Sequence, residues 1–98
     1  MIITLCGSTR FEELFMAKEK ELTGRGHTIF RPNTFFSQKH KDNLSKETME
    51  VLEEIHREKI NKSHAIYVIN PNGYIGDSTE REIGYALCKG KKVYYLQE

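Results

Sequence analysis

The sequence predicts an α/β fold: a four-stranded parallel sheet in the order 2-1-3-4, with helices on both faces. Three observations carry this. Short apolar runs of strand length alternate with amphipathic stretches of helix length, giving β-α-β-α-β-α-β. The first run, Ile2 to Cys6, is nearly all apolar and does not alternate, as in a strand buried on both faces. A length of 98 residues, 38% of them hydrophobic, fits one domain over residues 1–98 and leaves nothing for a second.

Each element has a local reason. The first strand ends at Gly7. Thr9 to Glu12 has capping-box spacing, a hydroxyl followed three residues on by a carboxylate, and predicts a helix start. Phe11, Leu14, Phe15 and Leu22 mark its apolar face, and Gly24 and Gly26 end it. His27 to Arg31 reads as a short second strand stopped by Pro32, and Asn33 to Asn43 as a polar, aromatic loop holding Phe35 and Phe36. Ser45 to Lys62 predicts a second helix, with Met49, Leu52, Ile55, His56, Lys59 and Ile60 at three-four spacing. Ala65 to Ile69 is the third strand, and Asn70 to Asp77 is rich in turn residues. Ser78 to Lys89 is the third helix, with Ile83, Ala86 and Leu87 toward the sheet, and Gly90 is its C-cap. Lys92 to Leu96 is the last strand. Right-handed crossovers then give a trimmed three-layer sheet of the flavodoxin or Rossmann-like kind.

Composition narrows the function classes. Fifteen basic and fourteen acidic residues leave a net charge of +1, which argues against a nucleic-acid binder and against an acidic tail. No stretch approaches the ~18 apolar residues of a membrane span. No basic n-region opens the chain, and the two cysteines, Cys6 and Cys88, have no C-x-x-C spacing. The expectation is a soluble, cytoplasmic protein. A chain this short buries a modest core, so dimerisation helps its stability.

In sheets of this order, ligands bind beyond the carboxyl ends of the strands where the order switches. That crevice lies between strands 1 and 3. Gly7-Ser8-Thr9-Arg10 meets it with a close-approach glycine, two hydroxyls, a helix N-terminus and a guanidinium, a set suited to a phosphate or sugar hydroxyl. Alternatively Ser8 or Thr9 is only a cap and Arg10 a surface charge. Gly73 to Glu82 meets it from the other side, with Tyr74, Gly76, Asp77, Ser78 and Glu82. Glu82 is placed to act as nucleophile or general base. The competing structural reading makes Thr79 to Glu82 a second capping box and Asp77 a plain N-cap. Walker A, cysteine-phosphatase and G-x-G-x-x-G patterns all fail: Glu12 stands where the first two need Gly or Arg, and Ile29 where the third needs Gly. Cys6 then reads as a buried strand residue. His27, His40, His56 and His64 show no metal-ligand spacing, although His56 and His64 lie near strand 3. Lys89 to Lys92 is a basic cluster at a helix C-terminus, where cations are favoured anyway.

Leu5-Cys6-Gly7-Ser8-Thr9-Arg10-Phe11 resembles the N-terminal motif of the nucleoside 2-deoxyribosyltransferase-like superfamily, and Glu82-Ile83-Gly84-Tyr85-Ala86 resembles its catalytic helix. The resemblance spans nearly the whole chain in order. It implies cleavage of the N-glycosidic bond of a deoxynucleoside or nucleoside monophosphate, with transfer of the sugar to another base or to water. It implies Glu82 as nucleophile, and Gly7, Ser8, Thr9, Arg10 and Phe11 along the nucleotide site. Asp77 and Ser78, next to Gly76, would hold sugar hydroxyls or phosphate, and Tyr74 would stack on the base. The family often carries its acid six residues before the glutamate; here Gly76 stands at that position and Asp77 follows it. The resemblance implies no metal and no organic cofactor, and a homodimer or higher homo-oligomer. The alternative expectation is a nucleotide-binding module on the same fold without catalysis.

Overall fold

Ile2–Cys6 forms β1, and its side chains divide between two cores. Ile3 and Leu5 point to one face, where they pack with Phe15, Leu22 and Ile69. Cys6 points to the other, where it packs with Ile60, Ile66, Val68 and Ala86. Both faces are covered, which is why the run does not alternate in polarity. The computed structural model describes residues 1–32 and 45–97. The loop expected over 33–43, with Phe35, Phe36 and His40, lies outside the described residues.

The remaining elements are α1 (Glu12–Gly24), β2 (Thr28–Phe30), α2 (Lys46–Asn61), β3 (Ala65–Val68), α3 (Asp77–Cys88) and β4 (Lys92–Tyr95), with 3-10 turns at Thr9–Phe11 and Pro71–Gly73. The strands form one parallel sheet in the order β2-β1-β3-β4, as the sequence predicts. Cys6 pairs with Val68, so the carboxyl ends of β1 and β3 finish side by side. Phe15 and Leu22 bring α1 to one face; Ile60 and Ala86 bring α2 and α3 to the other. Burying the large apolar side chains Ile3, Leu5, Phe15, Leu22, Ile60, Ile66, Val68 and Ile69, each worth ~1.5–3 kcal/mol, is the main favourable contribution to the fold. Asn70 brackets the far end of β3: its amide donates to the Gln97 carbonyl and accepts from the Gln97 N–H, both at 2.9 Å. Among the described residues no helix is long and apolar enough to cross a membrane.

Three local expectations change. The Thr9 capping box does not form: Ser8 is the N-cap, its hydroxyl accepting from the Arg10 N–H, and a 3-10 turn delays α1 until Glu12. The Thr79 capping box does not form either. Gly76 is the N-cap and α3 starts at Asp77, so Thr79 and Glu82 lie inside the helix. Leu14 and Leu87 are exposed, and the sheet is met instead by Phe15 and Leu22 on α1 and by Ala86 on α3. Ser45 does cap α2 as its position suggests, its hydroxyl accepting from the Thr48 N–H at 3.1 Å.

Candidate active site

A cleft of about 340 Å³ opens beyond the carboxyl ends of β1 and β3. That size falls in the ~300–1,000 Å³ range of small-molecule sites. Gly7, Ser8, Thr9 and Arg10 form one wall, and Tyr74, Gly76, Asp77, Ser78, Thr79 and Glu82 form the opposite one. Pro32 and the inward face of α2 (Met49, Leu52, Glu53, Ile55, His56, Lys59) close the third side. A larger hollow of about 640 Å³ lies beside Asn70, Asn72, Gly73, Tyr95 and Gln97, but no nucleophile or titrating acid lines it apart from the Tyr95 phenol.

Gly7 explains how the first wall is built. Its φ is +146°, and a Cβ there would stand 2.8 Å from the Ile69 carbonyl oxygen. The close approach the sequence suggested is therefore to the backbone leaving β3. It joins the two cleft-forming segments. Ser8 spends its hydroxyl on the Arg10 N–H. Thr9 Oγ1 is buried with no partner among the described residues. The Arg10 guanidinium lies 4.8 Å from the Phe11 ring centroid and 4.4 Å from that of Tyr74. Phe11 does not line the cleft. It meets Tyr74 edge-on and packs beside the α1-side core.

Asp77 is the first residue of α3, where the helix N-terminus favours a carboxylate. The Ser78 hydroxyl accepts from Arg81, which also reaches Glu53 at 3.4 Å. Glu82 sits one turn further in. Its side chain is 22% exposed, and Oε1 lies 3.5 Å from His56 Nε2. That same nitrogen lies 3.5 Å from Cys6 Sγ. The ligand-capable atoms of Cys6, His56 and Glu82 all fall within 4.8 Å of one another. Burial pushes the Cys6 thiol well above its ordinary pKa, and the neighbouring Glu82 carboxylate adds to this. His56 Nδ1 is buried without a partner among the described residues. Lys59, its ammonium donating to the Arg31 carbonyl at 2.7 Å, has its pKa lowered by burial.

The cleft thus gathers every site residue the sequence singled out except Phe11. It adds the α2 face, including His56, with Cys6 buried against that ring and not itself lining the cleft. His64 falls elsewhere: Nδ1 accepts from the Ile2 N–H, pinning the amino end of the sheet, opposite the cleft. His56 carried a signal, being a polar residue inside the apolar stripe of α2. Cys6 also carried one, as the last residue of a strand at the switch point.

No family model and no curated protein matches the chain. Among solved structures, the chain superposes on a 2-deoxyribosyltransferase from the psychrotolerant bacterium Bacillus psychrosaccharolyticus, a biocatalyst for nucleoside synthesis. The TM-score is 0.71 at 22% identity, over 97% of this chain and 71% of that one. At that identity the likeness is one of architecture: this chain has the fold of that 2-deoxyribosyltransferase.

Proposed function

We propose that the chain cleaves or transfers at the N-glycosidic bond of a (deoxy)nucleoside or nucleoside monophosphate, with Glu82 as nucleophile. The observation that carries this is the Glu82 carboxylate, which enters the switch-point cleft from inside α3 rather than capping that helix. The motif resemblance around Gly7 and Glu82 and the shared fold support the same reading.

Loss of a base from C1′ builds oxocarbenium character on the sugar. A carboxylate on one face meets that charge and bonds to C1′, as in retaining glycosidases. In the first step a Glu82 oxygen attacks C1′. The electron pair of the C1′–N bond leaves on the base, which takes a proton from water. In the second step an acceptor base or water attacks C1′ and gives up its proton to solvent, and the C1′–O bond to Glu82 breaks to return the carboxylate. Asp77 at the mouth of α3 is assigned the sugar hydroxyls. Arg10 is assigned a 5′-phosphate, and Tyr74 the face of the base. The same reading makes the protein a cytoplasmic homodimer; the free thiols Cys6 and Cys88 suit a reducing compartment. Val51 and Leu87 offer exposed apolar surface to a second copy.

Incubation with a panel of nucleosides and nucleoside monophosphates, with and without a free acceptor base, tests this by mass spectrometry. Released base, exchanged nucleoside and a sugar adduct on Glu82 are expected, all absent in Glu82→Ala. Silence across the panel, with a nucleotide still raising Tm, would replace the enzyme with a nucleotide-binding module.

A further inference from the structure

We propose that Cys6, His56 and Glu82 form a three-ligand site for a thiophilic divalent cation of the zinc class, and that its occupancy withdraws Glu82 from catalysis. The inhibitory half rests on the function proposed above; the binding half does not.

The three side chains come from the end of β1, the inner face of α2 and the second turn of α3. No spacing in the sequence joins them. A tetrahedral ion with a sulfur at ~2.3 Å and nitrogen or oxygen at ~2.0 Å holds its ligands roughly 3.3–3.6 Å apart. Cys6 Sγ to His56 Nε2 is 3.5 Å, and His56 Nε2 to Glu82 Oε1 is 3.5 Å. Two edges of the coordination polyhedron are therefore at ion-bound length before any ion is added. The third edge, within 4.8 Å, closes by a rotation of the partly exposed Glu82 side chain.

The geometry distinguishes this from a Cys-His-acid nucleophilic triad. Such a triad uses one ring nitrogen for the thiol and the other for the acid. Here Nε2 faces both, and Nδ1 faces no partner among the described residues. With one nitrogen facing both a sulfur and a carboxylate, the three donor atoms converge on one point, where a shared cation would bind. Cys6 is fully buried and His56 nearly so, while Glu82 faces the cleft, so the fourth position opens toward solvent. Three protein ligands with one open position is the pattern of accessible zinc sites.

Charge and proton balance also fit. On binding, the Cys6 thiol gives its proton to solvent and the thiolate takes the ion. The His56 Nε2 lone pair binds it, with the ring proton on Nδ1. One thiolate and one carboxylate then neutralise the divalent charge in a buried setting. A thiolate and an imidazole favour zinc or cobalt over magnesium or calcium.

The test uses tag-free protein in a Cys88→Ser background, which removes the exposed thiol. Cobalt(II) is expected to give tetrahedral d–d bands and a thiolate charge-transfer band at one equivalent, both displaced by zinc. Cys6→Ser should lose the charge-transfer band. Because Cys6 is in the core, Glu82→Gln on the cleft side gives an independent arm. It should weaken cobalt binding by more than the roughly 10–100-fold typical of losing a residue that only supports a ligand. It should also abolish the zinc-induced rise in Tm. No thiolate band, or unchanged cobalt affinity in Glu82→Gln, overturns the site. Zinc should suppress base release, and a chelator should restore it. Turnover that survives saturating zinc overturns the inhibitory half. A correct cobalt spectrum with no turnover under any condition instead overturns the proposed function and leaves the site standing.

Discussion

Glu82 Oε1 lies 3.5 Å from Nε2 of His56, a ring that is itself 7% exposed. A nearly buried imidazole thus stands behind a half-buried carboxylate and limits where it can point. Positioning of this kind is worth much to a nucleophile, since ~1 Å of misplacement can cost about 100-fold in rate. His56→Ala is therefore expected to lower kcat by roughly 10–100-fold with KM little changed. His56→Gln, which keeps a donor, should recover part of that loss. Turnover equal to wild type in a folded His56→Ala protein would remove the positioning role.

The Cys6 thiol makes stability pH-dependent on the alkaline side. Burial and the Glu82 carboxylate raise its pKa in the folded chain. Between the unfolded and folded values, the folded chain keeps a proton the unfolded chain has lost. This contribution is complete below the ordinary thiol value of about 8.5 and declines as pH rises above it. Denaturation midpoints from pH 7 to 10 should fall more steeply for wild type than for Cys6→Ala. The difference in slope should approach roughly 1 kcal/mol per pH unit. Parallel slopes would mean that the thiol does not titrate differently in the two states.

The same substitution should have opposite signs at two glycines. Gly7→Ala places a methyl 2.8 Å from the Ile69 carbonyl oxygen, at φ +146°. The loss should be about 1–3 kcal/mol, with a further loss of binding because the two cleft walls separate. Gly24→Ala, at the last residue of α1, meets nothing within 4 Å. It should gain up to ~1 kcal/mol by restricting the unfolded chain. Urea titrations of both variants check this, and a neutral Gly7→Ala would show that the crossing is not tight.

The strands and their order were legible because Ile2 to Cys6 and Ala65 to Ile69 are apolar on both faces and alternate with helix-length stretches, as in a covered parallel sheet. The helix starts were not. Thr9 to Glu12 and Thr79 to Glu82 both carry a capping pattern, but each helix begins elsewhere, at Glu12 and at Asp77. A local pattern cannot report the 3-10 turn that follows β1, or the loop that leaves Gly76 as the cap. Glu82 was legible from its place after strand 3. Its partners were not, since whether Cys6 and His56 meet it depends on the angle at which α2 crosses the sheet. Met49, Leu52, Glu53 and Lys59 reach the cleft for the same tertiary reason.

Arg10 and Tyr74 make the last prediction. The guanidinium lies 4.4 Å from the Tyr74 ring centroid and 4.8 Å from that of Phe11, over the rim of the cleft. Among the described residues Arg10 makes no ion pair, and its flat face is held by the rings. A charge-assisted contact to phosphate contributes roughly 1.5–3 kcal/mol. Arg10→Ala should therefore raise KM for a nucleoside monophosphate by about 10–100-fold while leaving the matching nucleoside nearly unchanged. Tyr74→Ala should act on both substrates, because it removes the ring assigned to the base and also frees Arg10 to wander. Steady-state kinetics with one nucleoside and its monophosphate separate the two effects. Equal losses for both substrates in Arg10→Ala would assign the guanidinium to the rim of the fold, stacked on its two rings, and not to a phosphate.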